Sequence, residues 1–143
     1  FQYIPLIKDP LMCIVSSQSP LYNEKVIELK AVENEHFIIP SYKGTNDVMT
    51  IFDKYQIKLN IRFELFDEKG IVSMVGHHLG ISILPRLVLN GLLPDNVRAI
   101  PFKEETFRTI GLSTTYNISP AAEKFIEILN KWLRENEDKS LLL

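Results

Sequence analysis

The chain has 143 residues, 45% hydrophobic and 24% charged, a composition typical of a globular protein rather than a disordered one. Its formal net charge of −2 gives it no general electrostatic reason to bind DNA. No apolar run approaches the ~20 residues that a transmembrane helix needs, and residues 1–10 show no signal peptide. We therefore expect no membrane partner and a cytoplasmic location.

The single cysteine, Cys13, excludes an internal disulfide and a four-ligand zinc site. It lies in the apolar run 11–15 and is expected to be a buried strand residue. We predict no metal and no cofactor.

Short apolar runs alternate with amphipathic helical stretches along the first half of the chain. Residues 11–16 form a continuous apolar run that predicts a buried strand, and residues 37–39 predict a second, brief one. A polar loop, 43–46, then leads into a predicted helix. The apolar face of this helix follows the i, i+3, i+4, i+7 pattern with Val48, Ile51, Phe52 and Tyr55.

The same rhythm continues in the second half. Alternation with a period of two predicts a half-exposed strand at 60–66, and Asp67 is placed to cap a second helix. Gly80 is expected just beyond that helix at positive φ. The remaining predictions are strands at 81–84, 97–102 and 107–114, a further helix that starts at 85–89 and ends near Gly91, and a last helix opened by Ser119-Pro120. This order favours an α/β fold with mostly parallel sheets and helical crossovers.

Four segments in the same order resemble one protein family. The run D-E-K-G-I-V-S-M-V-G-H-H-L-G-I-S-I-L-P-R-L-V-L at 67–89 is similar to the central segment of LysR-type effector domains. Residues 108–112 and 119–126 resemble the closing strand and helix of that family. The opening segment, with Asp9-Pro10-Leu11 and Ser19-Pro20-Leu21, resembles its crossover between lobes. The resemblance covers essentially the whole chain.

The resemblance implies a fold like the type 2 periplasmic binding proteins, in which two α/β lobes joined by crossover strands enclose a cleft for a small molecule. We expect residues 17–101 to form the second lobe. Residues 1–16 and 102–143 are then the crossover strands and the C-terminal part of a first lobe that is incomplete at its N-terminal side. The resemblance places DNA binding in a winged helix-turn-helix that is absent from this chain.

Ligands of α/β folds lie beyond the carboxyl ends of strands, so the polar residues there are candidate effector contacts. The first candidates are Ser16 and Ser17 at the end of the first predicted strand. Their hydroxyls can bind an effector, or can instead satisfy backbone groups in a turn.

A second candidate group is the loop of Lys43, Gly44, Thr45 and Asn46, which precedes a helix. A helix start exposes unpaired N–H groups and the positive end of the dipole, and lysine adds charge, so this loop suits a carboxylate or phosphate. The alternative is that the loop merely caps its helix and carries a solvated lysine.

The third candidate group is Phe66, Asp67 and Glu68, which the resemblance places in the cleft. Two carboxylates at Asp67 and Glu68 disfavour an anion at that end, so a polar or cationic part of the effector is expected there. Asp67 can alternatively act only as a helix cap.

These observations favour a sensor: a ligand-binding regulatory domain that binds a small, anionic effector between its lobes and controls DNA binding by a full-length transcription factor. The first alternative is a transport-type solute-binding protein of the same fold. The second is an enzyme such as a dehydratase or deaminase. We expect no enzyme, because the sequence lacks a nucleophile elbow and the glycine-rich phosphate motifs, and adjacent His77 and His78 diverge by about 100° on a helix.

Self-association is also expected. The resemblance implies a homodimer or higher oligomer formed through lobe edges, with the helix at 45–55 and the strand at 60–66 as candidate interface. An incomplete first lobe should in addition leave a sheet edge and an apolar helix face uncovered.

Overall fold

The computed structural model describes residues 1–41 and 47–136. Six strands occur in these residues: β1 (Gln2–Ser16), β2 (His36–Pro40), β3 (Asn60–Leu65), β4 (Ser82–Pro85), β5 (Val97–Pro101) and β6 (Phe107–Thr114). Three α-helices accompany them, namely α1 (Asp47–Lys54), α2 (Glu68–Gly76) and α3 (Pro120–Asn136). Two 3-10 helices also occur, Leu29–Asn34 and Arg86–Leu89, and the second lies where the sequence predicts the start of a helix at 85–89.

The chain divides into two compact units. Unit 1 comprises Phe1–Asp9 and the chain from Phe107 onward, and unit 2 is Pro10–Thr106. β1 contributes residues to both units, since it extends nine residues N-terminal to the predicted strand at 11–16. The apolar run alone did not reveal this extension, because the charged residues Lys8 and Asp9 and two prolines, Pro5 and Pro10, interrupt residues 2–10.

Unit 2 is built on strands that run in both directions. β1 pairs antiparallel with β4, with Leu11 opposite Pro85 and Ile14 opposite Ser82, and antiparallel with β5 on its other side. β2 and β3 are parallel, as expected for strands joined by a helical crossover through α1. The amide of Ile38 donates to the carbonyl of Ile81 at 2.8 Å, which joins β2 to the start of β4. The expectation of mostly parallel pairing is therefore correct for β2–β3 and wrong for β1.

The core of unit 2 has two layers because successive residues of β1 point to opposite faces. Cys13 and Val15 lie on the side of α1, where the rings of Phe37 and Phe52 meet edge to face at 5.9 Å. Ile14 lies on the side of α2. The predicted burial of the apolar run is confirmed, since Cys13, Ile14 and Val15 have no exposed surface.

Unit 1 pairs β6 with β1 and includes α3. Asp9 is fully buried and accepts a hydrogen bond from Nε of Arg108 at 3.0 Å. Tyr3 donates its hydroxyl to the carbonyl of Thr109, and its ring lies against Gly111, where a Cβ atom would come within 2.7 Å of the ring. These contacts fix the register of β1 against β6.

The helix ends differ in one respect from the sequence prediction. Gly80 does not adopt positive φ; His78 does, at φ 57°. Gly80 is required for a different reason, because a Cβ atom there would lie 2.6 Å from the carbonyl oxygen of His36. The glycine allows the start of β4 to approach β2.

Candidate functional site

The parallel strands of unit 2 end at a common edge of the sheet. β2, β3 and β4 run in the same direction and finish at Pro40, Leu65 and Pro85. The amide of Ser41 donates to the carbonyl of Leu65 at 2.7 Å and holds the first two ends together. We call this set of strand ends, with the residues that follow them directly, the carboxyl edge. In α/β folds this is where ligands bind.

One side of the carboxyl edge is formed by the entry into α2. Asp67 caps that helix, its Oδ2 accepting a hydrogen bond from the amide of Gly70 at 2.8 Å. The predicted cap is therefore confirmed. Phe66 precedes it with 69% of its surface exposed, and Glu68 is half-buried in the first turn. The edge thus offers an exposed aromatic ring beside two carboxyl groups.

The predicted loop of Lys43, Gly44, Thr45 and Asn46 lies outside the described residues. Its neighbours in the chain are described: Ser41 at the carboxyl edge, and Asp47 as the first residue of α1. The loop thus connects the carboxyl edge to α1 in the sequence, and its role in binding stays a prediction.

Ser16 and Ser17 do not join this group. Ile14 of β1 pairs with Ser82 at the start of β4, so Ser16 lies at the opposite edge of the sheet from Pro85. Five residues of strand, about 17 Å, separate it from the level of Leu11 and Pro85. The expectation that these serines share one site with Phe66 and Asp67 is wrong, because β1 runs antiparallel to the strands that end at the carboxyl edge.

Both serines have internal partners at that opposite edge. The Ser16 hydroxyl, in a residue only 2% exposed, lies 2.9 Å from Nδ1 of His78. The Ser17 amide donates to the carbonyl of Asn96 at 2.8 Å. The Ser16 hydroxyl thus contacts a histidine side chain, and Ser17 uses its backbone amide, so neither contact is the one to a backbone group in a turn that the alternative interpretation expected.

Sequence reasoning missed Arg86 at the carboxyl edge. It follows Pro85 directly and is exposed, so a cationic residue comes directly after the end of β4. The signal in the sequence is the run L-P-R at 84–86, whose pattern predicts the start of a helix and does not by itself indicate a binding residue. Thr106 belongs to the same edge, since its carbonyl accepts from the amide of Leu11 at 3.0 Å.

The histidines have separate hydrogen-bond partners. His77 Nδ1 lies 2.8 Å from the carbonyl oxygen of Ser73, whereas His78 contacts Ser16. His36 lies near Asn60 and Arg62 on β3. Among residues 1–41 and 47–136, no group of three His, Cys, Asp or Glu side chains could hold a metal ion. In the same residues, no helix combines the length and apolarity needed to cross a membrane.

The family model of the LysR substrate-binding domain matches residues 1–134. The chain belongs to the LysR substrate-binding domain family. Among curated relatives of this LysR domain, the uncharacterized HTH-type transcriptional regulator YybE of Bacillus subtilis is 33% identical over 129 residues. That match covers 87% of this chain and 44% of YybE, and the chain spans less than half the length of the relatives it matches.

Solved LysR effector-binding domains share the fold. The QuiR domain in complex with shikimate superposes with a TM-score of 0.73 at 21% identity, covering 94% of this chain and 66% of that one. The BenM domain with its effector benzoate gives a TM-score of 0.76 at 19% identity, covering 99% of this chain and 69% of BenM. The periplasmic-binding-protein-like α/β fold expected for the chain is thereby confirmed.

Proposed function

We propose that this chain is the greater part of the effector-sensing domain of a LysR-type transcriptional regulator, and that the carboxyl edge of unit 2 contributes to its effector site. The observation that carries the proposal is the meeting of three strand ends and the start of α2 at one edge, in a chain of this family. Unit 2 then corresponds to the second lobe, predicted at 17–101, and unit 1 to part of the first.

The charges at this edge favour an anionic effector bound in one orientation. Arg86 supplies a positive charge at the end of β4. The sequence places a second positive charge, Lys43, in the loop that connects the carboxyl edge to α1. Asp67 and Glu68 repel an anion from the start of α2. The acidic group of the effector therefore faces Arg86, and its apolar or ring portion lies against Phe66. The shikimate and benzoate bound by the QuiR and BenM domains are carboxylates, in line with this class.

Sensing requires that the effector bind two arrangements of the complete regulator with different affinities, because equal affinity shifts no equilibrium. DNA contacts are assigned to a winged helix-turn-helix outside this chain, consistent with the HTH-type names of the relatives and with the net charge of −2. In the proposal the parent protein is cytoplasmic, and the domain binds its effector without catalysing a reaction.

A transport-type solute-binding protein of the same fold is the alternative. The regulator is favoured because the curated relatives are named as transcriptional regulators or activators.

Differential scanning fluorimetry and isothermal titration calorimetry of the chain test the proposal. The probes are a panel of small carboxylates and phosphorylated acids that includes shikimate and benzoate. At least one probe should raise the melting temperature. Arg86→Gln should weaken its binding by about 10-fold or more, the value of a charge-assisted hydrogen bond. Arg134→Gln, an exposed arginine on α3 in unit 1, is the matched control and should leave affinity unchanged.

Two results contradict the proposal. One is a folded chain whose melting temperature responds to no member of the panel. The other is that Arg86→Gln and Arg134→Gln weaken binding equally, because Arg86 at the carboxyl edge would then make no specific contact with the effector.

A further inference from the structure

A pocket lies in unit 2 between α2 and the loop that leads into β5. Its volume is about 360 Å³. Pockets of ~300–1,000 Å³ are the size that holds small molecules. The α2 wall of the pocket includes polar side chains, and the loop wall includes both apolar and polar ones. The lining residues that matter here are Lys69, Ser73 and His77 on the helix side and Leu92, Pro94 and Asn96 on the loop side.

This pocket is separate from the carboxyl edge. Phe66 and Arg86 of the carboxyl edge do not line it. At its loop side, the carbonyl of Asn96 accepts a hydrogen bond from the amide of Ser17 at 2.8 Å, just beyond the end of β1. That end of β1 lies at the opposite edge of the sheet from Pro85, because β1 is antiparallel to β4. A ligand here would therefore not occupy the effector site proposed above.

Hydrogen bonds hold the loop wall against the helix wall. Asn96 Nδ2 donates to the carbonyl of Gly76 at 2.8 Å, at the last residue of α2. Within the loop, the amide of Val97 donates to the carbonyl of Pro94 at 3.0 Å and closes a turn. Because both walls are already fixed, a ligand does not have to order them when it binds.

The polar groups of the α2 wall lie along one side of the helix. Lys69, Ser73 and His77 follow each other at intervals of four residues. His77 Nδ1 lies 2.8 Å from the carbonyl oxygen of Ser73, which can only accept, so Nδ1 carries the proton. In the neutral imidazole, Nε2 is then a hydrogen-bond acceptor.

The charge of this wall is positive. Lys69 is exposed, and it forms no ion pair with any side chain of residues 1–41 and 47–136. No acidic residue is found among the described residues that line the pocket. The pocket thus combines a lysine without an acidic partner in these ranges, a histidine nitrogen that accepts, and an apolar surface.

We propose that this pocket binds a small organic anion that also carries a hydroxyl group. The anionic group pairs with the ammonium group of Lys69, and the hydroxyl donates to Nε2 of His77. The apolar body of the ligand lies against Leu92 and Pro94. Lys69 and His77 are separated by a rise of about 12 Å along the helix, so the ligand lies lengthwise between α2 and the loop.

An NMR titration of the ¹⁵N-labelled 143-residue chain with 4-hydroxybenzoate tests the inference, because it reports where the probe binds. The backbone amides of Ser73, His77 and Asn96 should shift and saturate. Lys69→Gln should weaken this binding about 10-fold, the value of a charge-assisted hydrogen bond. Lys25→Gln, an exposed lysine of unit 2 outside the pocket, is the matched control and should leave the affinity unchanged.

The role of His77 has its own test. Benzoate lacks the hydroxyl group and should bind the pocket several-fold more weakly than 4-hydroxybenzoate. His77→Phe should remove that difference, because the acceptor is gone. Equal affinities of the two probes for the unsubstituted pocket would contradict the proposed contact with Nε2.

Repeating the titration in Arg86→Gln keeps the pocket distinguishable from the carboxyl edge. The shifts at Ser73, His77 and Asn96 should persist in that variant. Shifts confined to Phe66 and Glu68 that Arg86→Gln abolishes would overturn the pocket and leave the proposed function intact. The inference also fails if the pocket amides do not respond to millimolar probe, or if Lys69→Gln and Lys25→Gln weaken binding equally.

Discussion

The hydroxyl of Ser16 lies 2.9 Å from Nδ1 of His78, which joins the end of β1 to the residues that follow α2. His78 holds φ at 57°, a left-handed conformation that costs a non-glycine residue on the order of 1 kcal/mol. Its amide also donates to the carbonyl of Val75 at 2.9 Å. The contact occupies the hydroxyl of Ser16, which the sequence offers as one of the candidate effector contacts.

The first prediction follows from this contact. Ser16→Ala should lower the free energy of unfolding by about 1 kcal/mol, because it removes the hydrogen bond between the buried Ser16 hydroxyl and His78. Urea denaturation measures the change. Effector affinity should stay the same, since Ser16 lies at the edge opposite Arg86. Ser17→Ala, at an exposed side chain, is the control and should change stability by less than about 0.5 kcal/mol. If Ser16→Ala instead loses effector binding while its stability is unchanged, Ser16 contacts the effector and this prediction is wrong.

A second prediction concerns the close approach at Gly80. Gly80→Ala should cost about 2 kcal/mol or more, because the new Cβ atom would lie 2.6 Å from the backbone oxygen of His36 and separate β4 from β2. Gly76→Ala in α2 is a matched control whose Cβ atom meets its neighbours at ordinary distances of 3.5 Å or more. That variant should be neutral or slightly stabilising, since alanine favours a helix. Equal effects of the two substitutions, measured by thermal unfolding, would contradict the steric account.

The third prediction concerns the buried ion pair of unit 1. Asp9 is fully buried, and the Arg108 side chain is 29% exposed. Asp9→Asn should destabilise the protein by about 2–4 kcal/mol, because the guanidinium loses its partner in a partly desolvated position. The exposed pair Lys124–Glu127 provides the comparison, and Glu127→Gln should cost less than about 0.5 kcal/mol. Similar losses from both variants in urea titrations would show that burial does not strengthen the Asp9 contact.

A fourth prediction concerns Cys13. Burial raises the pKa of its thiol far above the ordinary value, and the charge of Glu35 adds to the shift. A raised pKa keeps the thiol protonated throughout the neutral range, and the thiolate is the reactive form. The native chain should therefore fail to react with Ellman's reagent at pH 8, and one thiol should appear on unfolding in urea. Rapid labelling of the native chain would contradict the burial of this strand.

The sequence by itself determined the elements and the family. Apolar runs and helical stripes are local, so the buried residues 13–15, the Asp67 cap and α3 could be predicted from neighbours in the chain. The ordered motifs at 67–89 and 108–126 carried the resemblance, and the family match to residues 1–134 confirms it.

Only the tertiary structure decided which residues share an edge. Ser16 ends β1 and Phe66 directly follows β3, and sequence alone gives no direction to a strand within a sheet. The antiparallel pairing of β1 with β4 sends Ser16 to His78, while Arg86 follows β4 at the same edge where β2 and β3 end. Strand direction depends on the pairing of residues about 70 positions apart, such as Leu11 opposite Pro85, and local side-chain patterns do not encode it.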